Sequence, residues 1–280
     1  MYEALERTVK ATELEIPVDN RAKWPSRGPI AASRALTASF LFVNLGQGNP
    51  RALSRGVEAN DRMAKKTTFA ILVYEDVEPI DIGATFGVFS MARRVVPEIR
   101  MFLVAERAGM VRCANGLKVE ADYGYDNCPE ADVLIVTGGP GWSRQVDNAR
   151  TVAFVRGFAP RGTIASVCTG GMILAATGLL DGRTATTKRE VIGDERSPLG
   201  LMKSRHPDID VVEARLVDSG TIITGGGVSL AIDATLHLIE RFYGEAAANE
   251  TARIIEYRTA WRANKDAFKS IIPAQERRAS

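Results

Sequence analysis

The sequence predicts an α/β fold with a mostly parallel sheet and helices on both faces, and three observations carry that expectation. Two continuous apolar runs of strand length, Phe69–Tyr74 (FAILVY) and Val133–Val136, read as strands buried on both faces. Strand-like and helix-like segments alternate from Thr68 onward, the pattern of parallel strands joined by crossover helices. Glycine-rich turns follow two of the strands, at Gly138-Gly139-Pro140-Gly141 and Gly225-Gly226-Gly227, at the edge where such sheets collect reactive groups.

Each element has its own signal. After the first strand, Pro79–Arg93 places Ile82, Phe86, Phe89 and Met91 at roughly helical spacing, and Pro79 suits a first helical turn. Arg100–Ala105 is the second strand, and Val111–Tyr123 alternates around Asn115-Gly116, a strong hairpin signal. Val133–Val136 runs into the glycine loop. A helix over about Asn148–Phe158 then leads to a strand at Thr163–Val167, to Cys168, and to a helix through Ala176 that Gly178 ends. Thr184–Thr187, Ile209–Val217 and Thr221–Thr224 follow as strands, with an irregular stretch rich in Lys, Arg and Pro after the first of them. Ser229–Tyr243 and Glu245–Trp261 read as two long amphipathic helices. The chain after Lys265 is expected to fray. Residues 1–66 are thus read as a poorly ordered N-terminal extension, 67–265 as the domain and 266–280 as a tail.

Composition narrows the function classes. A chain of 280 residues with 45% hydrophobic and 25% charged residues can bury a sizeable core. A formal charge of +2 gives no mandate for nucleic acid, and no run of eighteen apolar residues is present to enter a membrane. Three cysteines, Cys113, Cys128 and Cys168, form no CxxC pair and no closed disulfide framework. Free thiols favour a reducing, cytoplasmic compartment. Residues 21–57 carry six arginines and lysines and no acid, without periodicity, and are expected to stay outside the core. The acidic opening (Glu3, Glu6, Glu13, Glu15) argues against an export signal, and Met63 is a candidate natural start.

Three segments deliver chemistry to one sheet edge. In Thr163-Ile-Ala-Ser-Val-Cys168-Thr-Gly-Gly171 the small residues Ser166, Gly170 and Gly171 flank the cysteine. A nucleophile elbow demands this, because a tight strand-to-helix turn leaves no room for side chains two residues away. A helix start also favours the thiolate. Gly138 and Gly139 could bring backbone N–H groups to the reacting centre, Gly139 joining Thr169 as an oxyanion-type donor pair. Asp81, shortly after the first strand, could face the thiol. The blander alternatives stand beside these: a cysteine ending an apolar strand can be a small core residue, and Asp81 can be a helix-start carboxylate. No GxGxxG or Walker-type lysine accompanies the glycines. Cys113 and Cys128 lack any such context, His237 reads as packed in a helix, and His206 as solvated.

The string Ala165-Ser-Val-Cys-Thr-Gly170, with Leu174-Ala-Ala-Thr-Gly-Leu-Leu-Asp-Gly-Arg183 and Ala185-Thr-Thr187, resembles the ThiJ/PfpI superfamily of class I glutamine-amidotransferase-like proteins. Gly225-Gly-Gly-Val-Ser229, Ile232-Asp233, Leu236-His-Leu-Ile-Glu-Arg241 and Glu256-Tyr257 look like its isonitrile hydratase-like branch. The resemblance covers about residues 67–262. It implies a flavodoxin-like three-layer sandwich, a homodimer, no metal or organic cofactor, and a small-molecule substrate. It places the nucleophile on Cys168, its neighbouring threonine on Thr169 and the acidic partner on Asp81. The activity implied is hydration of isonitriles to N-substituted formamides. Glyoxalase- or hydrolase-type thiol chemistry on small carbonyl compounds, or a non-catalytic redox-sensing or regulatory role, are the alternatives. The roughly eighteen residues after the region of resemblance are too few for a helix-turn-helix module. Two departures stand out: Lys188-Arg189 replaces a His-Trp pair of many relatives, and Gly87 stands where relatives often carry a carboxylate.

Overall fold

The computed structural model describes residues 66–272, so the expectations for residues 1–65 and 273–280 lie outside the described residues. From its start the chain forms β1 (Thr67–Leu72), α1 (Pro79–Ile82), one π-helical turn (Gly83–Gly87), α2 (Val88–Ala92) and β2 (Ile99–Ala105). The hairpin β3 (Gly109–Arg112) and β4 (Lys118–Ala121) is followed by β5 (Tyr123–Gly124) and β6 (Val133–Val136). Then come α3 (Trp142–Gln145), α4 (Ala149–Phe158), β7 (Thr163–Ser166), α5 (Gly170–Ala176), β8 (Thr184–Ala185), α6 (Pro198–Arg205) and β9 (Asp210–Val211). The last elements are β10 (Leu216–Asp218), β11 (Ile222–Gly225), α7 (Leu230–Tyr243), α8 (Glu245–Ile254), α9 (Arg258–Ala267) and β12 (Ser270–Ile271). No helix among the described residues is long and apolar enough to cross a membrane.

Among the described residues the main sheet has eight strands in the order β12-β10-β11-β7-β6-β1-β2-β5. Every pairing in it is parallel except β10 with β11. The crossover from β1 to β2 moves one way along the sheet, and that from β6 to β7 moves the other. Right-handed crossovers running in opposite directions put their helices on opposite faces. Thus α1 and α2 cover one face, where α7 and α8 pack with α2, and α4 and α5 cover the other. This is the expected three-layer, flavodoxin-like arrangement. The strands β1 and β6 lie side by side where the chain's direction of travel reverses, the place where such sheets open a crevice at their carboxyl ends. Between β1 and α2, Phe69 stacks on Phe89 with ring centroids 4.1 Å apart.

Three segments differ from the sequence reading. The single helix expected over Pro79–Arg93 contains a π-helical turn. That turn frees carbonyls which hydroxyls then satisfy: Thr85 Oγ1 donates to Asp81 O at 2.7 Å and Thr235 Oγ1 to Ala84 O at 2.8 Å. The helix expected over Glu245–Trp261 breaks into α8 and α9 at Glu256, which adopts φ 56°. No glycine marks this stop, but Tyr257 N–H closes it on Ala252 O at 2.9 Å. The reversal carries Tyr257 and Asn264 to Asp233, whose Oδ2 accepts from both at 2.8 and 2.9 Å while Arg215 binds Oδ1 at 3.0 Å. Finally, the segment just after Lys265, expected to fray, continues α9 to Ala267 and then pairs Ser270 and Ile271 with the open edge of β10.

Candidate active site

Cys168 occupies the turn between β7 and α5 with φ 52°, a left-handed conformation that costs energy in a non-glycine residue. Its surroundings hold it there: Cys168 N–H donates to Gly226 O at 2.9 Å, and Thr187 Oγ1 donates to Cys168 O at 2.7 Å. A Cβ added to Gly170 would lie 2.1 Å from Val136 O, so the helix can start beside β6 only with glycine at that position. The small-residue spacing around the cysteine therefore has its expected cause.

Asp81 reaches the same point from α1. Its carboxyl is fully buried, Oδ2 accepts Gly138 N–H at 2.6 Å, and Oδ1 lacks a hydrogen-bond partner of good geometry. A Cβ on Gly138 would sit 2.6 Å from Thr169 Oγ1 and 2.9 Å from Asp81 Oδ2, a measure of how tightly the three segments converge. Gly139 N–H donates to Thr169 Oγ1 at 2.9 Å. The expectation that Gly138 and Gly139 offer free N–H donors to a substrate is therefore corrected. Both groups are already engaged, fixing the carboxyl of Asp81 and the hydroxyl of Thr169.

The electrostatics correct a second expectation, that of a resting thiolate. Burial, then the nearby Asp81 charge, pushes the Cys168 thiol up to about 12. The N–H groups of Val228 and Thr169 and the charge of Lys188 oppose this without overcoming it. The seven-residue helix α5 brings too little field to offset desolvation of a residue that is only 2% exposed. Asp81 is in turn raised by burial to about 7, against the stabilising hydrogen bonds of Gly138 N–H and the Cys168 thiol. The two side chains thus form a neutral thiol beside a carboxyl that ionises near neutrality. Such a pair can move one proton between them.

A cavity of about 420 Å³ opens above the sulfur, lined by Cys168, Glu78, Trp142, Lys188, Leu201 and Val228 among others. Its size suits a small organic molecule. Val228 was missed from the sequence: the residue contributes a backbone donor toward the sulfur, and the apolar side chain that names it carries no chemical signal. Cys113 is buried, Cys128 is half-buried, and neither lines this cavity. His237 is buried with Nε2 2.8 Å from Asp218 Oδ2, and His206 is half-buried just past the end of α6. Among the described residues, no group of three or more His, Cys, Asp or Glu side chains is placed to hold a metal ion.

Residues 67–241 match the DJ-1/PfpI family. The chain is 30% identical over 190 residues to an isonitrile hydratase of Pseudomonas putida, an alignment covering 68% of this chain and 78% of that protein. It is 32% identical over 150 residues to the HTH-type transcriptional regulator GbdR of Pseudomonas aeruginosa, covering 52% of this chain and 38% of that one. A crystal structure of a ThiJ/PfpI family protein from Pseudomonas syringae superposes with a TM-score of 0.62 at 24% identity, over 78% of this chain and 95% of that one. At that identity the likeness speaks for the fold alone.

Proposed function

The chain belongs to the DJ-1/PfpI family, and from that premise we propose that it is a cysteine-dependent enzyme that hydrates isonitriles to N-substituted formamides. One observation carries the reading: the Cys168 thiol and the Asp81 carboxyl, the latter ionising near neutrality, stand together under a cavity. Ionised Asp81 takes the thiol proton as sulfur attacks the terminal carbon of R–N≡C, forming the S–C bond. Asp81 returns that proton to the same carbon, leaving the thioimidate R–N=CH–S–Cys168. Water then adds its hydroxyl to the carbon and a proton to the nitrogen, with Asp81 relaying the proton. The hydroxyl proton passes to sulfur as the C–S bond breaks, releasing R–NH–CHO and restoring the thiol. Thr169 and Val228 N–H groups steady charge on sulfur. The Thr169 hydroxyl, held by Gly139, orients the water. A reducing, cytoplasmic setting and a homodimer belong to the same proposal.

The test is formamide formation from cyclohexyl isocyanide by the wild type, Cys168→Ala and Asp81→Asn. Turnover that survives Cys168→Ala ends the covalent route. Consumption of methylglyoxal without turnover of isonitriles moves the assignment to carbonyl chemistry. The similarity to a transcriptional regulator favours, as a second reading, a non-catalytic role. Stable sulfinic acid at Cys168 after mild peroxide, without turnover of either compound, would support it.

A further inference from the structure

The Cys168 chamber is not the largest cavity near the site. A second one of about 550 Å³ lies next to it, lined by Thr186, Glu213, Leu230, Asn264 and Phe268 among others. Lys188 and Val228 line both spaces and so stand between them. The two are held differently. Val228 sits in the loop after β11 at φ 27° and turns its backbone N–H toward the Cys168 sulfur. Lys188 contributes a flexible side chain whose root is pinned at the nucleophile, its N–H donating to Cys168 O at 3.4 Å and its carbonyl accepting Leu199 N–H at 3.0 Å.

The stem of Lys188 lies across Gly227, where an added Cβ would come within 3.0 Å of Lys188 Cγ. Its ammonium donates to the backbone carbonyl of Glu190 and makes no ion pair with any described residue. The adjacent Arg189, by contrast, is tied to the carboxylates of Glu190 and Glu213. One side chain, packed along its stem on Gly227 and held at its tip by Glu190, and one short loop therefore close the Cys168 chamber toward the larger space.

We propose that Lys188 is the specificity-determining partition of this site. Its stem confines substrates to groups that fit the smaller chamber, and without it bulkier groups would extend into the neighbouring cavity. The inference rests on the reading of Cys168 as the reactive thiol, but not on which reaction follows. It concerns the size of the group R rather than the chemistry at the sulfur.

The experiment uses N-methylmaleimide and N-benzylmaleimide on the full chain, with alkylation of Cys168 read by peptide mass spectrometry so that Cys113 and Cys128 do not interfere. The measured quantity is the benzyl-to-methyl rate ratio. Lys188→Ala should raise that ratio by roughly tenfold or more, the discrimination that a small difference in pocket size supports. Lys188→Met, which removes the charge and keeps the bulk, should leave the ratio near that of the wild type. Lys203→Ala, exposed on α6 and lining neither cavity, should also leave it unchanged. An unchanged ratio in a folded Lys188→Ala overturns the partition while leaving Cys168 reactivity intact. An equal rise in Lys188→Met also overturns it, because charge rather than bulk would then set the limit. Cys168 inert to both maleimides in every variant would overturn both the partition and the accessible-thiol reading beneath it.

Discussion

Replacing Asp81 with asparagine should make the protein more stable and inactive at once, and the size of the first effect follows from the structure. Burial raises the carboxyl from its ordinary 3.8 to about 7, a span of about three pH units. At about 1.4 kcal/mol per unit, ionised Asp81 costs the folded state at most ~4 kcal/mol above pH 7. The sign is that of an acid raised on folding: its contribution is favourable below the unfolded value and is lost as pH climbs from 3.8 to about 7. Asparagine keeps an acceptor for Gly138 N–H but buries an amide NH2 where Oδ1 has no partner, a cost of about 1–2 kcal/mol. A net gain of roughly 2–3 kcal/mol at pH 8 remains, or roughly 5–10 °C in Tm for a domain of this size. Thermal melts of wild type and Asp81→Asn at pH 5 and pH 8 read it directly. The advantage should be large at pH 8 and shrink toward pH 5, where the wild-type carboxyl is protonated. In parallel, iodoacetamide labelling of Cys168 should speed up through about pH 7 in the wild type and lose that step in the variant. An Asp81→Asn protein that is no more stable at pH 8, or whose advantage is equal at both pH values, would refute a buried carboxyl ionising beside the thiol.

Three further outcomes follow from the same structure. Gly139→Ala should cost more than about 3 kcal/mol by urea denaturation and abolish labelling of Cys168, since its Cβ would lie 2.2 Å from Glu78 N at φ 138°. Gly87→Ala, with nothing within 4 Å and a helical φ of −63°, should be neutral or stabilising by up to ~1 kcal/mol. Asp218 pairs with His237 and Arg241, and although burial works against it, these partners and Gly220 N–H hold its carboxyl below the usual range. That contribution is present above about pH 4 and lost as pH falls through the lowered value. Asp218→Ala should therefore cost roughly 2–4 kcal/mol at pH 7 and flatten the acid limb of the urea midpoint against pH.

The order of strands and helices was legible because buried parallel strands write themselves as unbroken apolar runs, as in Phe69–Leu72 and Val133–Val136. The elbow was legible too, because a turn that brings α5 within reach of Val136 O tolerates only glycine at position 170. The break at Glu256 was not, since a left-handed stop normally shows itself by glycine. Here the ties of Tyr257 and Asn264 to Asp233 hold a glutamate there instead. The π-helical turn after Asp81 was equally hidden, resting on a threonine hydroxyl that reaches across from α7.

Taken alone, residue types and their spacing determined the α/β layering, the family resemblance and the gathering of Cys168, Thr169, Asp81, Gly138 and Gly139 at one edge. The tertiary structure decided the charge state of that group and which of its donors are free. Ionisation answers to everything within a few ångströms, and those neighbours arrive from the ends of β1, β6, β7 and β11. Spacing along the chain cannot report how much water such an assembly excludes. The excluded water is what leaves the sulfur protonated and the carboxyl poised near neutrality.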